Sequence, residues 1–153
     1  MRLALGLLMF LLSVYLGYLK TLPIKKRKDF FISFNNFNLI FKNSVFFEKK
    51  TIFQIMNANK NKDDFNELLN EYINTGSSNI DKNYLTNAEK VFIKEYLEVI
   101  GKGDERSQID YVNHVYEMIE DKKKQCYEDE KKFGSMYFKL SILIGLMLFI
   151  VVV

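Results

Sequence analysis

The sequence predicts an all-α chain: a small helical bundle flanked by N-terminal and C-terminal transmembrane helices. Three observations predict it: an uncharged apolar run near each end, a charged middle whose apolar residues recur every three or four positions, and no alternation long enough for a strand. The expected boundaries are residues 1–20 for the first transmembrane helix, 21–134 for a cytoplasmic helical domain and 135–153 for the second transmembrane helix. Of 153 residues, about 115 remain for the soluble body, enough for one modest core.

The first span reads LALGLLMFLLSVYLGYL from Leu3 to Leu19, 17 residues without a charge. As a helix it covers roughly 26 Å, close to the hydrocarbon thickness of a bilayer. Ten of these residues are Leu, Phe or Val. Together they favour insertion by about 3–6 kcal/mol, which outweighs the Gly, Ser and Tyr among them. The rival reading is a cleaved signal segment ahead of a secreted or surface helical binding protein. Cleavage needs small residues in an A-x-A-like pattern, whereas this run ends Tyr15, Leu16, Gly17, Tyr18, Leu19, Lys20. An uncleaved anchor fits better.

The second span, Met136 to Val153, reads MYFKLSILIGLMLFIVVV and carries one charge, Lys139, near its polar edge. A lysine there reaches the headgroups along its own methylene stem. Tyr137 and Phe138, like Tyr15 and Tyr18, stand where aromatic rings gather at a bilayer surface. Lys20, Lys25, Lys26, Arg27 and Lys28 follow the first span, and Lys131, Lys132 and Lys139 border the second, against Arg2 alone on the far side. Positive flanks stay inside, so the middle is expected in the cytoplasm with Lys25, Lys26, Arg27, Lys28, Met136, Tyr137 and Lys139 at the membrane interface.

Within the middle, Phe30, Phe34, Phe37 and Phe41 repeat at 4, 3, 4 and form one helical stripe that needs a cover, with Phe46 and Phe47 closing the stretch. Two short helices are expected between Thr51 and Ile73, one carrying Ile52, Phe53, Ile55 and Met56, the other Phe65, Leu68, Leu69 and Tyr72. Residues Asn59 to Asp64 separate them, and Gly76 with Ser77 and Ser78 ends the second. Thr86 and Glu89 spell a capping box that opens a helix through Ile100, with Phe92, Tyr96 and Val99 facing inward beside Ile93, Leu97 and Ile100. Gly101 and Gly103 stop it. From Asp104 a long helix follows, with Ile109, Val112, Tyr116 and Ile119 as its seam and a charged shaft running through Gly134 into the second span.

Chemistry is hard to find. The only histidine, His114, has no nucleophile placed beside it, and the only cysteine, Cys126, reads as a surface thiol in a charged helix. One cysteine excludes an internal disulfide and a cysteine zinc cluster. Gly101-x-Gly103 lacks the preceding strand and the Lys-Ser or Lys-Thr pair of a phosphate loop. A net charge of +3 without a basic stripe gives no footprint for nucleic acid. Carboxylates are many but scattered, so a membrane enzyme built on paired Asp or Glu lacks a visible site. The sequence therefore predicts no enzyme, no cofactor, no metal and no small-molecule substrate.

Ile100-Gly101 followed by Asp104 and Gln108 resembles the Leu-Gly, Asp and Gln turn of the stage III sporulation protein AB family. Met136-Tyr137, Lys139-Leu140 and Gly145-Leu146 resemble that family's run into its last span, with Ser141 standing where a glycine is usual. About 50 residues carry the likeness. It implies a platform or scaffold subunit of the channel joining mother cell and forespore, similar to the inner-membrane platform proteins of type II secretion. The implied partners are a secretion-type ATPase, other membrane proteins of that sporulation channel and the lipid bilayer of the mother-cell membrane. Gly101, Asp104 and Gln108 are then the candidate turn or partner contact: Gly101 ending one helix and Asp104 capping the next, or the three meeting a partner directly.

Overall fold

A computed structural model gives the fold and describes residues 2–45, 54–55, 63–77 and 80–152. Among the described residues there is no strand. In chain order come α1 (Arg2–Asn43), α2 (Asp64–Thr75), α3 (Asn87–Val99) and α4 (Glu105–Asp129), then a π-helical turn at Glu130–Gly134 and α5 (Ser135–Val152). Two compact units share these helices: a terminal unit of Met1–Lys28 with Gln125–Val153, and a central unit of Asp29–Lys124.

The terminal unit pairs α1 with α5. Leucines cover the outside, with Leu3, Leu8, Leu143 and Ile150 all exposed, while Gly6, Ser13, Gly17, Ser141 and Gly145 are buried. This inverts the arrangement of a water-soluble helix pair. Both α1 and the continuous helical stretch Glu105–Val152 contain segments long and apolar enough to cross a membrane. As a helix α1 continues beyond residue 20, with Pro23 inside it. A proline inside a helix removes one N–H and crowds the carbonyl four residues back. Thr21 Oγ1 donates to the Tyr18 carbonyl at 2.8 Å in the same turn.

The central unit is built on rings. Phe30, Phe31, Phe34, Phe37 and Phe41 of α1 are all buried, and the cover they need is Phe65 of α2 with Tyr96 of α3. Phe34 stacks on Phe65 at 4.4 Å between centroids and meets Tyr96 edge-on at 4.6 Å. Such pairs add about 0.5–1.5 kcal/mol each to the area they bury. Core packing is thus the role of the phenylalanine stripe. Asn38 ties three helices, donating to the Val112 carbonyl at 3.2 Å and accepting from Tyr96 Oη at 3.2 Å. Burial, with Tyr111 nearby, pushes the Tyr96 phenol well above its ordinary range.

Local signals set the helix ends. Asp63 accepts from Asn66 N–H at 2.9 Å to open α2, and Gly76 closes it in the left-handed region at φ 71°. Thr86 and Glu89 form the expected reciprocal box at the start of α3, with Thr86 N–H donating to Glu89 Oε2 at 2.8 Å and Glu89 N–H to Thr86 Oγ1 at 3.3 Å.

Three details differ from the sequence expectation. Val99 is 39% exposed, because Ile93, Tyr96, Leu97 and Ile100 define the inner stripe of α3 and Val99 falls beyond its edge. The buried seam of α4 is Gln108, Val112, Val115 and Ile119, so Ile109 and Tyr116 flank it rather than belong to it. Cys126, expected on the surface, is 1% exposed: it lies seven residues after Ile119 and extends the same stripe. Expectations for Phe46, Phe47, Thr51 to Phe53, Met56, Asn59 to Lys62 and Ser78 lie outside the described residues.

Candidate functional site

In the turn between α3 and α4 one buried side chain ties Gln108 to Gly101, while the Gln108 N–H donates to the Asp104 carbonyl at 3.0 Å. Gln108 is 5% exposed, and its Oε1 accepts from Gly101 N–H at 2.9 Å. Its Nε2 donates to the Val99 carbonyl at 3.3 Å and to the Lys102 carbonyl. Gly101 and Gly103 both adopt positive φ, 78° and 100°, which side chains with a Cβ resist. Asp104 accepts from Ser107 twice, from Oγ at 2.5 Å and from N–H at 3.3 Å, the second being the bond of an N-cap. These bonds from Ser107 hold the Asp104 carboxyl below its ordinary value. Residues 101–107 are all exposed. The result is a presented loop whose backbone is fixed from beneath by an amide, with the Asp104 carboxylate held in its charged form.

The residues expected at a membrane interface divide into two groups. Arg27 pairs with Asp129 at 2.7 Å, and Lys28 pairs with Glu130 at 2.7 Å while lying 5.4 Å over the Tyr127 ring. These two cations join α1 to the end of α4 and the π turn. Lys25, Lys26, Met136, Tyr137 and Lys139 are exposed instead.

Sequence reasoning missed the residues that close the helix pair. Ser13 Oγ donates to the Ser141 carbonyl at 2.9 Å, and Ser141 Oγ donates back along its own helix to the Phe138 carbonyl at 2.8 Å. A Cβ added to Gly17 would fall on the Ser141 side chain, and one added to Gly145 would come within 2.9 Å of the Phe10 ring. Contacts from Phe10 to Gly145 and from Gly17 to Ser141 run in opposite senses, so the helices are antiparallel. The available signal was the same Ser-x-x-x-Gly spacing in both spans, Ser13 with Gly17 and Ser141 with Gly145.

His114 stands exposed on α4. No group of three or more His, Cys, Asp or Glu side chains among the described residues is placed to hold a metal ion.

A model of the family described as stage III sporulation protein AB matches residues 48–153, more than half of the chain. The chain belongs to this family. Membership of the stage III sporulation protein AB family gives it a role in sporulation, carried by a helical chain with two potential membrane spans. The match includes the 101–108 turn and α5, whereas α1 up to Asn43 precedes it. The partner of the last span, the Ser13 and Gly17 face, therefore comes from the structure alone. No curated protein and no solved structure matches the chain.

Proposed function

We propose that this protein is a non-enzymatic platform subunit of the channel complex between mother cell and forespore. The terminal unit spans the mother-cell membrane as a helical hairpin, and the central unit faces the cytoplasm and docks a secretion-type ATPase. The observation that carries this reading is the pairing of α1 with α5 through buried Ser13, Gly17, Ser141 and Gly145 beneath an exposed leucine surface. That arrangement is stable in lipid, where close backbone approach and interhelical hydrogen bonds replace the hydrophobic drive. Removing residues 1–20 as a signal segment would strip α5 of those partners, which favours retention. The basic residues that follow α1's apolar run support the inward orientation. The exposed, internally braced loop 101–107 supports a docking role, since it meets a partner with its backbone already ordered.

A reporter inserted in the loop between α2 and α3 and a pull-down from sporulating cells test the two halves separately. Cytoplasmic reporter activity and recovery of a channel ATPase in mild detergent are expected. Reporter activity outside the cell would overturn the topology. Recovery of other channel proteins without the ATPase would overturn the docking partner.

A further inference from the structure

Along the α1–α5 pair of the terminal unit lies a groove of about 620 Å³, within the range of small-molecule sites. Its two ends differ. Lys20, Pro23 and Tyr137 line one, and Leu16, Leu140 and Ile144 line the rest. The antiparallel pairing puts the lysine and the tyrosine at the same end. The floor contains Ser13 and Ser141, but both hydroxyls already donate to carbonyls, so the apolar stretch offers a ligand little to hydrogen-bond. From Ser13 to Pro23 the groove extends roughly 15 Å along α1, on the order of half a bilayer's hydrocarbon thickness.

We propose that this groove holds one anionic phospholipid, with its phosphate on Lys20 beside the Tyr137 hydroxyl and one acyl chain along Leu16, Leu140 and Ile144. The inference rests on reading the helix pair as membrane-spanning. Charge selects the occupant. The terminal unit carries nine Lys and Arg against three Asp and Glu, and none of the three acids lies in residues 1–28. Among the described residues Arg27 and Lys28 are matched by Asp129 and Glu130, whereas no acidic side chain pairs with Lys20. A phospholipid brings its phosphate to the lysine and its chain to the leucines together, and basic pockets between spans on the inner leaflet take such headgroups.

The test is native mass spectrometry of the full chain released from nanodiscs of equal phosphatidylglycerol and phosphatidylcholine. One retained phosphatidylglycerol is expected, favoured about fivefold, the scale of one lysine near an anionic headgroup. Lys20→Gln should bring that preference to about one, whereas Lys25→Gln with Lys26→Gln should keep at least about half of it. Ile144→Trp, which fills the groove, should expel lipid of either kind, and excess inorganic phosphate should leave the wild-type lipid in place because the chain holds it too. An unchanged preference in Lys20→Gln, displacement by inorganic phosphate, or a second copy of the protein retained in place of lipid would each overturn the site. Release of wild-type protein from membranes by alkaline carbonate would overturn the spanning reading and the lipid site with it. Retention in membranes without a phosphatidylglycerol preference would overturn the lipid site alone.

Discussion

The terminal and central units both hold helices side by side, yet they use opposite residues to do it. In the central unit the contact is made by large rings, Phe30, Phe34, Phe65 and Tyr96, buried almost completely. In the terminal unit it is made by Ser13, Gly17, Ser141 and Gly145, and the large residues are outside. Charge divides the same way: thirteen basic against sixteen acidic residues in the central unit, nine against three in the terminal one. With the terminal unit in the bilayer, as proposed, the difference follows from solvent. Water expels a phenylalanine, so ring burial closes a helix pair in the central unit at about 25 cal/mol per Å². Lipid accepts leucine as readily as a neighbouring helix does, so only close approach and a hydrogen bond distinguish the paired state.

The largest expected effect that tests this contrast is in the central unit. Phe34→Ala removes a ring that meets Phe65, Phe92 and Tyr96, and should cost about 3–5 kcal/mol in the unfolding of detergent-solubilised protein. Leu12→Ala, at a 54% exposed position of the first span, should stay within about 0.5 kcal/mol. Equal losses would erase the distinction between the units. Next in size, Gly17→Leu drives a side chain into Ser141 and should cost the helix pair about 1–3 kcal/mol. Oxidative cross-linking of Ser13→Cys with Ser141→Cys, in a Cys126→Ala background, should then fall about tenfold or more; undiminished cross-linking would show that small residues are not what closes the pair.

The smallest effect sharpens the picture of the central unit at high pH. Tyr84 donates its hydroxyl to Asp64, and burial together with that bond pushes the phenol far above its ordinary value of 10.0. The folded state therefore holds the proton more tightly than the unfolded one. Its contribution is fully present below pH 10 and declines as pH rises above it. Tyr84→Phe should cost about 1 kcal/mol at neutral pH and flatten the loss of stability between about pH 10 and 11.5 in chemical denaturation. A slope unchanged by the substitution would place the alkaline sensitivity in Tyr96 or Tyr111, whose phenols are also pushed up by burial.

Much of this was legible in the residues. Apolar length marked both spans, the 4, 3, 4 phenylalanine spacing marked the buried face of α1, and Thr86 with Glu89 marked the start of α3, because each signal is local and periodic. What stayed hidden depended on a distant neighbour. Cys126 sits among lysines and glutamates in sequence, and only the phase of α4 shows it facing inward. Gln108 reads as a polar helix residue, yet its amide is buried because the Gly101 and Lys102 backbone supplies its partners. The buried seam accordingly has Gln108 in place of Ile109 and Val115 in place of Tyr116. α1 also continues through Pro23, although proline in a helix interior usually breaks or kinks it. The turn residues Gly101, Asp104 and Gln108 were legible as a motif, whereas the bonds among them were not.

The wider winding at Glu130–Gly134 has a bearing on chain length. Each residue of a regular helix advances by about 100°, so an uninterrupted helix would leave Ser141 and Gly145 roughly 80° around the cylinder from Cys126. Five residues of π winding advance by roughly 80–85° each, which cancels most of that offset and brings all three buried residues near one line. The segment thus works as a phase corrector. A chain shortened by a single residue there would swing the serine and glycine about a quarter of a turn away from α1, so this stretch tolerates changes of side chain far better than changes of count.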